Sequence, residues 1–285
     1  MRIAWFITHS QILEPIFERR FLPVSYACRT GFGTHRALRD ARRAAAENPY
    51  VLKCDIRKYF ASIDHEILKG QLARVVKCAP TLRLAATVIA ASNPREQADW
   101  YFPGDDLFTP SERSRGLPLG NQTSQFFANV YLNELDHFIA RAIRPSVYLR
   151  YVDDFLLFDA DKQRLHGALE GIQGFLDGLR LLVHDGKSRI YRAVDGISFL
   201  GWRIYPDRAL LQRANVIRFR KKLRRLQAAF QNGQVKWAAV RSSVSAWIGH
   251  GMHGDTWRLR SQIFDTCPFP SAPAHVDAGS VVNNL

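Results

Sequence analysis

The sequence contains few cysteines and no long apolar run. Its four cysteines stand far apart and include no C-x-x-C pair, which argues against a zinc site or a disulfide framework. We therefore expect buried thiols at all four positions, Cys28, Cys54, Cys78 and Cys267. No run is apolar enough to cross a bilayer, and the N-terminus carries no secretory signal. These absences predict a protein of the reducing cytoplasm without a membrane partner.

Acidic residues are scarce compared with basic ones. The chain has 26 Asp and Glu against 40 Lys and Arg, which gives a formal net charge of +14. Nucleic acid is the commonest polyanionic partner of such a protein, because each phosphate that Lys or Arg neutralises releases counterions. A basic protein with an ordinary charged surface is the alternative. The length of 285 residues predicts a single enzyme with subdomains.

Helical and strand patterns alternate along the first two thirds of the chain. Apolar spacing predicts helices, and short apolar runs predict strands. Residues 93–118 are rich in Pro, Gly and charge and predict an irregular insertion. The predicted helices are Ile3–Pro23, Ala37–Ala46, one from about Asp64, Gln122–Ile143 and Lys162–Leu182, and the predicted strands are Val51–Ile56, Val147–Val152, Phe155–Phe158, Arg189–Tyr191 and Ile197–Tyr205.

The residues after Pro206 predict a small basic helical unit. Apolar residues recur at steps of three and four, and six basic residues fill the other faces between Arg218 and Arg225. A solvated surface is the plain explanation of such a run, but its density favours contact with nucleic acid. The tail from Pro268 has a composition that predicts disorder.

Three aspartates are the candidate catalytic residues. Asp153 and Asp154 lie within RYVDDFLLF, at the turn of a predicted hairpin, and Asp55 ends the apolar strand in VLKCDIRKYF. Acids at hairpin turns are common, but a third acid suggests a cluster that would repel itself unless cations occupied it. All-oxygen sites suit hard divalent cations, so two Mg²⁺ ions, with Mn²⁺ as the alternative, are the expected cofactor. Phosphoryl transfer is the chemistry that this pattern favours.

The ordered motifs resemble the palm of reverse transcriptases over roughly residues 10–266. They are VLKCDIRKYF, LPLGNQTSQFFANVYLNELD, YVDD, the turn at Gly186 and Lys187, and FLGW. Three further segments, SYACRTGFGTH, LGNQTSQ and WIGHGMHGDTWRLR, resemble the enzymes of diversity-generating retroelements, which are similar to group II intron and retron enzymes.

The resemblance implies an α+β right-hand polymerase with fingers, a ferredoxin-like palm and a helical thumb. The implied fingers are residues 1–52, with an insertion at 78–118. The implied palm comprises 53–77 and 119–206, the thumb 207–266, and the disordered tail 267–285.

Site roles follow from the resemblance, residue by residue. Asp55, Asp153, Asp154 and the Ile56 carbonyl are the implied metal ligands. The implied substrate-binding residues are Arg29, Ile56, Phe60, Leu119, Gly120, Gln125 and Lys187, and the implied primer grip is Phe199, Leu200, Gly201 and Trp202. Phe60 would exclude a ribose 2′-hydroxyl and Lys187 would protonate pyrophosphate. The alternatives are core packing for Phe60, a solvated turn for Lys187, an ordinary surface arginine for Arg29 and an apolar strand for FLGW.

Two departures from the family pattern affect the expected function. Leu119-Gly120 and Ser124-Gln125 replace the common Gln-Gly and Ser-Pro, which removes a polar side chain beside the nucleotide and predicts weaker discrimination between bases. The resemblance to retroelement enzymes implies that the errors occur at template adenines. The start, MRIAWFITHS, replaces a basic fingertip segment, so part of the fingers is expected to be missing or replaced.

The predicted function is RNA-directed DNA polymerase. Such an enzyme would copy a template RNA into cDNA from a DNA primer and deoxynucleoside triphosphates, with a small basic accessory protein and with oligomerisation open. The alternatives are a phage-defence or other bacterial reverse transcriptase, and an RNA-binding scaffold without catalysis.

Overall fold

The computed structural model describes residues 13–91, 100–118 and 122–266. The chain divides into two compact units. The first comprises Met1–Leu200 and Ile204–Asp207, and the second comprises Gly201–Arg203 and Arg208–Leu285. The predicted disordered tail and residues 3–12 of the predicted first helix lie outside the described residues. Residues 13–18 are helical, and the helix ends there, before its predicted end at Pro23.

A four-stranded antiparallel sheet forms the centre of the first unit. Its strands are β1 (Tyr50–Asp55), β2 (Val147–Tyr151), β3 (Asp154–Asp159) and β4 (Arg189–Arg192), in the order β2-β3-β1-β4. Helices separate β1 from β2 and β3 from β4. This βαββαβ connectivity is that of ferredoxin-like folds, and it confirms the predicted palm topology.

Besides the helical residues 13–18, seven α-helices of the first unit are described, and apolar side chains from several of them share a core with the sheet. Leu135 and Ile172 are fully buried, in the same core as Leu52 and Leu157 of the strands. The helices are α1 (Thr34–Glu47), α2 (Tyr59–Ser62), α3 (His65–Val75), α4 (Ala79–Ala90), α5 (Thr109–Glu112), α6 (Gln122–Phe138) and α7 (Lys162–Gly178). A π-helical turn, Ile139–Ile143, continues α6. None of the helices described is both long and apolar enough to span a bilayer.

Helix α7 ends earlier than its predicted end at Leu182. Arg180 adopts a left-handed conformation with φ of 53°, and its N–H donates to the Asp177 carbonyl. The N–H of Leu181 donates to the Leu176 carbonyl, which completes a Schellman motif. Glycine is the usual residue at such a helix end. Because Arg180 is not glycine, the sequence pattern did not predict that the helix ends here.

Two further predictions about secondary structure were wrong in part. The predicted irregular segment contains α5, which has Pro110 in its first turn, where the missing N–H costs no hydrogen bond. The predicted strand Ile197–Tyr205 is two strands, β5 (Ile197–Phe199) and β6 (Trp202–Ile204). Leu200 and Gly201 interrupt it as a turn, with φ values of 48° and 84°.

The prediction of buried thiols holds only for Cys54. Cys28 and Cys78 are exposed, and all three are free. Cys28 lies in a tight turn with φ of 56°, and its thiol donates to the Gln125 side-chain oxygen at 2.9 Å. Cys78 precedes the first turn of α4, at a helix end that faces solvent. Cys267 lies outside the described residues.

The second unit contains strand β7 (Ala209–Leu211) and the helices α8 (Arg213–Gln231), α9 (Trp237–Gly251) and α10 (Trp257–Thr266). As the periodicity predicts, Val216, Phe219 and Leu223 form a buried stripe on α8. The Phe219 ring stacks on Trp247 with centroids 3.8 Å apart. Five basic residues on the other faces of α8 are exposed to solvent, namely Arg218, Lys221, Lys222, Arg224 and Arg225.

The HGDT segment between α9 and α10 packs closely against strand residues of the same unit. A Cβ atom on Gly254 would lie 2.3 Å from the Trp202 ring and 2.6 Å from the Ala209 carbonyl oxygen. Beside it, the Asp255 N–H donates to that carbonyl, and the Ala209 N–H donates to the Asp255 carboxylate, each at 2.8 Å. This part of the WIGHGMHGDTWRLR motif therefore has a packing role.

We expect Gly254→Ala to destabilise the second unit. Neither the buried indole nor the backbone carbonyl can move freely, so overpacking should cost about 1–3 kcal/mol. Denaturant unfolding measures this cost. Gly249→Ala is the matched control on α9, because a Cβ there meets no atom within 4 Å. Equal stability of the two variants would contradict the assigned packing role.

Candidate active site

Pairing of β1 with β3 brings the three candidate acids together. Asp55 stands directly opposite Asp154 in the register of the two strands, and Asp153 precedes Asp154 in the β2–β3 turn. Side chains at opposite positions of neighbouring antiparallel strands lie on the same face of the sheet. The strand end and the hairpin turn thus converge, although about a hundred residues separate them in the chain.

Two lysines contact the acid cluster. The Lys187 ammonium lies 2.9 Å from Oδ2 of Asp55, so this predicted site residue lies beside the acids. The Lys53 ammonium lies 3.3 Å from Oδ2 of Asp154, and it donates to the Ser198 carbonyl at 2.7 Å. Lys53 was not among the predicted site residues. Its signal was available, since Lys53 stands two residues before Asp55 on a strand, where alternate side chains share a face.

Burial and mutual repulsion disfavour negative charge on the two hairpin acids. Burial raises the pKa of Asp154 to about 6, Lys53 opposes that rise, and the charges of Asp55 and Asp153 add to it. Burial also raises the pKa of Asp153, and Asp55 adds to the effect while Lys187 and Arg150 oppose it. The ionised forms of Asp153 and Asp154 are therefore disfavoured, first by burial and then by the neighbouring carboxylates.

The carboxylate oxygens of the acid cluster are the candidate ligands for a metal ion. Within the described parts of the chain, no group of three or more His, Cys, Asp or Glu residues is arranged to hold one. The lysines instead occupy Oδ2 of Asp55 and Oδ2 of Asp154. However, Oδ1 of Asp154 is buried without a hydrogen-bond partner, which leaves a strong acceptor unsatisfied. Clustered carboxylate oxygens of this kind fit a hard divalent cation in their chemistry once the lysines move.

The aromatic pair after Asp55 divides between the core and the site. Tyr59 is buried, and its hydroxyl donates to the Ala128 carbonyl at 2.6 Å. Phe60 is only partly buried, and its carbonyl accepts from the Leu117 N–H at 2.7 Å. The predicted nucleotide loop residues Leu119 and Gly120 lie outside the described residues. The bond from Leu117 therefore joins Phe60 to the chain two residues before Leu119.

Backbone pairing fixes the chain around Ile56. Its side chain is buried, and it forms an isolated antiparallel bridge with Val183. On either side, the His184 N–H donates to the Asp55 carbonyl and the Arg57 N–H donates to the Leu182 carbonyl. This pairing holds the backbone that follows Asp55 in place beside the acid cluster.

Arg29 is enclosed by its own segment. Its guanidinium donates to Glu18 at 2.9 Å and to the Leu22 and Ser25 carbonyls at 2.6 and 2.8 Å. Its side chain is only 5% exposed. These bonds brace the turns before α1, and they do not favour the predicted contact with a nucleotide. Gln125, also predicted at the site, is partly buried on α6.

The predicted primer grip presents a turn and not its large side chains. Phe199 and Trp202 are almost fully buried, at 1% and 0% exposure. Leu200 and Gly201 form the turn between their strands. Any contact that this segment makes with a nucleic acid would use the turn residues, and its role stays a prediction.

The sequence motifs predicted a polymerase palm with one acid at a strand end and two at a hairpin turn. The antiparallel sheet places Asp55, Asp153 and Asp154 in this arrangement. Residues 7–204 match the family model for reverse transcriptase (RNA-dependent DNA polymerase), and the chain belongs to this family.

The curated relatives include homologues encoded by group II introns. Protein YkfC of Escherichia coli K12 is 26% identical, over 69% of this chain and 59% of that protein. The group II intron-encoded protein LtrA of Lactococcus lactis is 27% identical, over 45% of this chain and 20% of that protein. The chain therefore spans less than two thirds of the length of either relative.

Solved structures of telomerase from Candida tropicalis share the fold. The complex with a TWJ fragment of telomeric RNA gives a TM-score of 0.55 at 14% identity, over 92% of this chain and 47% of that one. The apo form truncated from its C-terminal domain gives a TM-score of 0.52 at 16% identity, over 72% and 45%. The chain has the mixed helix-and-sheet, right-hand polymerase fold.

Proposed function

We propose that this protein is an RNA-directed DNA polymerase that copies a template RNA into cDNA. The observation that carries the proposal is the placement of Asp55 opposite Asp154, with Asp153 in the adjoining turn. Membership of the reverse transcriptase family supports it. The proposed substrates are deoxynucleoside triphosphates and a DNA primer on the RNA template, and the proposed compartment is the cytoplasm.

Reverse transcriptase domains generally use divalent metal ions. We assign Asp55, Asp153, Asp154 and the Ile56 carbonyl to hold two Mg²⁺ ions, with Mn²⁺ as the alternative. When bound, such ions activate the primer hydroxyl and stabilise the leaving oxygen. Lys53 offsets the charge of Asp154 and ties it to the strand at Ser198. Phe60 is proposed to lie under the sugar of the incoming nucleotide.

Lys187 is proposed to donate a proton to the leaving pyrophosphate. Its side chain is 58% exposed, so the ammonium can leave Asp55 and reach a triphosphate. We expect Lys187→Met to lower the rate constant of single-nucleotide incorporation by roughly 10²-fold, because general acid catalysis contributes that much. Rapid-quench kinetics measures it. Lys69→Met, which removes a partly exposed lysine on α3, is the control. Equal rates for the two variants would refute the proposed role.

The exposed basic face of α8 is proposed to bind the template–primer duplex as part of a thumb at residues 207–266. The fingers are proposed at 1–52 with the 78–118 insertion, and the palm at 53–77 and 119–206. Contacts to phosphates are independent of sequence and release counterions. The affinity for duplex should therefore fall steeply with salt concentration.

We further propose that the enzyme belongs to a diversity-generating retroelement and copies template adenines with many errors. The motif resemblance and the apolar Leu119 support this role. The proposed partners are a template RNA and a small basic accessory protein. Copying a defined RNA and sequencing the cDNA should give an excess of errors at adenine. Equal error rates at all bases would favour a phage-defence or other bacterial reverse transcriptase, and absence of copying would favour an RNA-binding scaffold.

A further inference from the structure

The guanidinium of Arg150 is fully enclosed next to the YVDD turn. Its Nε and Nη2 atoms donate to the two carboxylate oxygens of Asp136 on α6, at 2.7 and 2.6 Å. Neither side chain is exposed to solvent. The Tyr148 hydroxyl donates to the same carboxylate at 2.7 Å. This bidentate pair fixes the plane of the guanidinium and therefore the direction of its third nitrogen.

The third nitrogen, Nη1, contacts the turn itself. It donates to the Val152 carbonyl at 3.0 Å and to the Asn129 side-chain oxygen at 3.2 Å. Val152 directly precedes Asp153, and its φ is 58°. A β-branched residue rarely adopts this left-handed conformation, and it persists only where the surroundings impose it.

The same network is anchored on its far side by the segment before α1. The Asn129 amide donates to the Ala27 carbonyl at 2.8 Å. The Arg150 N–H donates to the Val24 carbonyl at 2.7 Å, and the Tyr26 N–H donates to the Arg150 carbonyl at 2.9 Å. These bonds connect helix α6, strand β2 and the segment before α1. The Arg150 guanidinium, which is fixed within this network, binds the Val152 carbonyl.

We propose that Arg150 is a positioning residue for catalysis, which holds Val152 in its left-handed conformation and so directs Asp153 and Asp154 towards Asp55. The inference rests on the proposed polymerase function. Arg150 bonds to the backbone of the turn, so it acts through the placement of the acids. The matching sequence signal is a charged residue within an otherwise apolar strand, RYVDDFLLF, which had no assigned role.

A double-mutant cycle with Arg150→Lys and Val152→Gly tests the proposal. Lysine keeps the charge beside Asp136 but lacks the planar fork that spans the carboxylate and the carbonyl. Glycine adopts left-handed backbone freely, so the turn of the V152G variant needs the Arg150 bond less. We expect R150K to lower the rate constant of single-nucleotide incorporation at least about tenfold, and V152G to restore several-fold of that loss in the R150K background.

The midpoint temperature of thermal unfolding is measured for each variant. All rate constants are measured at one temperature, well below the lowest of these midpoints. Recovery of the rate constant without recovery of the midpoint supports positioning, since a merely structural role would not produce it. If R150K does not fold, the cycle uses Asn129→Ala, which leaves the Arg150–Asp136 pair in place and removes the second acceptor that directs Nη1 towards the turn. Losses that simply multiply in the double variant would overturn the positioning role. An inactive wild type would instead overturn the proposed polymerase function.

Discussion

Asp153→Asn should abolish extension of a DNA primer on an RNA template and leave the fold intact. Asparagine has the same shape, but it removes a charge that the proposed ions require. Loss of several kcal/mol of charge stabilisation corresponds to a rate lower by roughly 10³-fold or more. Stability should not fall, because burial and the charge of Asp55 raise the pKa of Asp153, so the fold already disfavours its charged form. Extension assays and unfolding curves on the same preparation measure both effects.

Asp265→Asn is the control for that experiment, because it removes an exposed carboxylate on α10. It should retain wild-type extension. Activity of Asp153→Asn close to that of the control would exclude a catalytic role for the hairpin acids.

Asp136→Leu should destabilise the protein by about 3–5 kcal/mol. The variant leaves the guanidinium of Arg150 buried without its counter-charge. Removing one partner of a buried ion pair lowers the free energy of unfolding by about this amount. Burial alone lowers the pKa of Arg150, but Asp136 more than offsets that effect, so the arginine stays charged. Denaturant unfolding at equilibrium measures the loss.

Glu134→Gln provides a matched control two residues away on the same helix. Its pair with Arg74 is exposed, at 37% and 71% for the two side chains. An exposed pair of this kind contributes about 0–1 kcal/mol. If both variants lost equal stability, the core role of the Asp136–Arg150 pair would be refuted.

Local pattern was sufficient for most elements of the fold. The two short apolar runs that flank Asp153 and Asp154 predict a hairpin, and β2 and β3 confirm it. The stripe on α8 follows directly from its spacing of three and four. These predictions succeed because the period of the apolar residues depends on the geometry of one element alone.

The arrangement of the site depends on contacts between distant residues, which the pattern does not encode. Nothing in the strand of Asp55 states which strand it pairs with or in which register, and the resemblance to a family supplied that expectation. The resemblance also implied a ligand contact for Arg29. In the structure, Glu18 and two nearby carbonyls bind its guanidinium, and the ligand contact stays a prediction.

Left-handed turns caused two errors in the predicted secondary structure. Arg180 ends α7, and Leu200 begins the turn that splits a predicted strand, although neither is glycine. Hydrogen bonds formed after folding stabilise these conformations, so residue type alone does not announce them.

The central claim is that Asp55 and the hairpin acids jointly hold divalent ions for nucleotide addition. Electron paramagnetic resonance of Mn²⁺ in a complex with primer, template and a non-hydrolysable nucleotide tests it most directly. The wild type should bind about two ions per protein, and Asp55→Asn should bind fewer, with weaker affinity. Unchanged number and affinity in Asp55→Asn would contradict the claim.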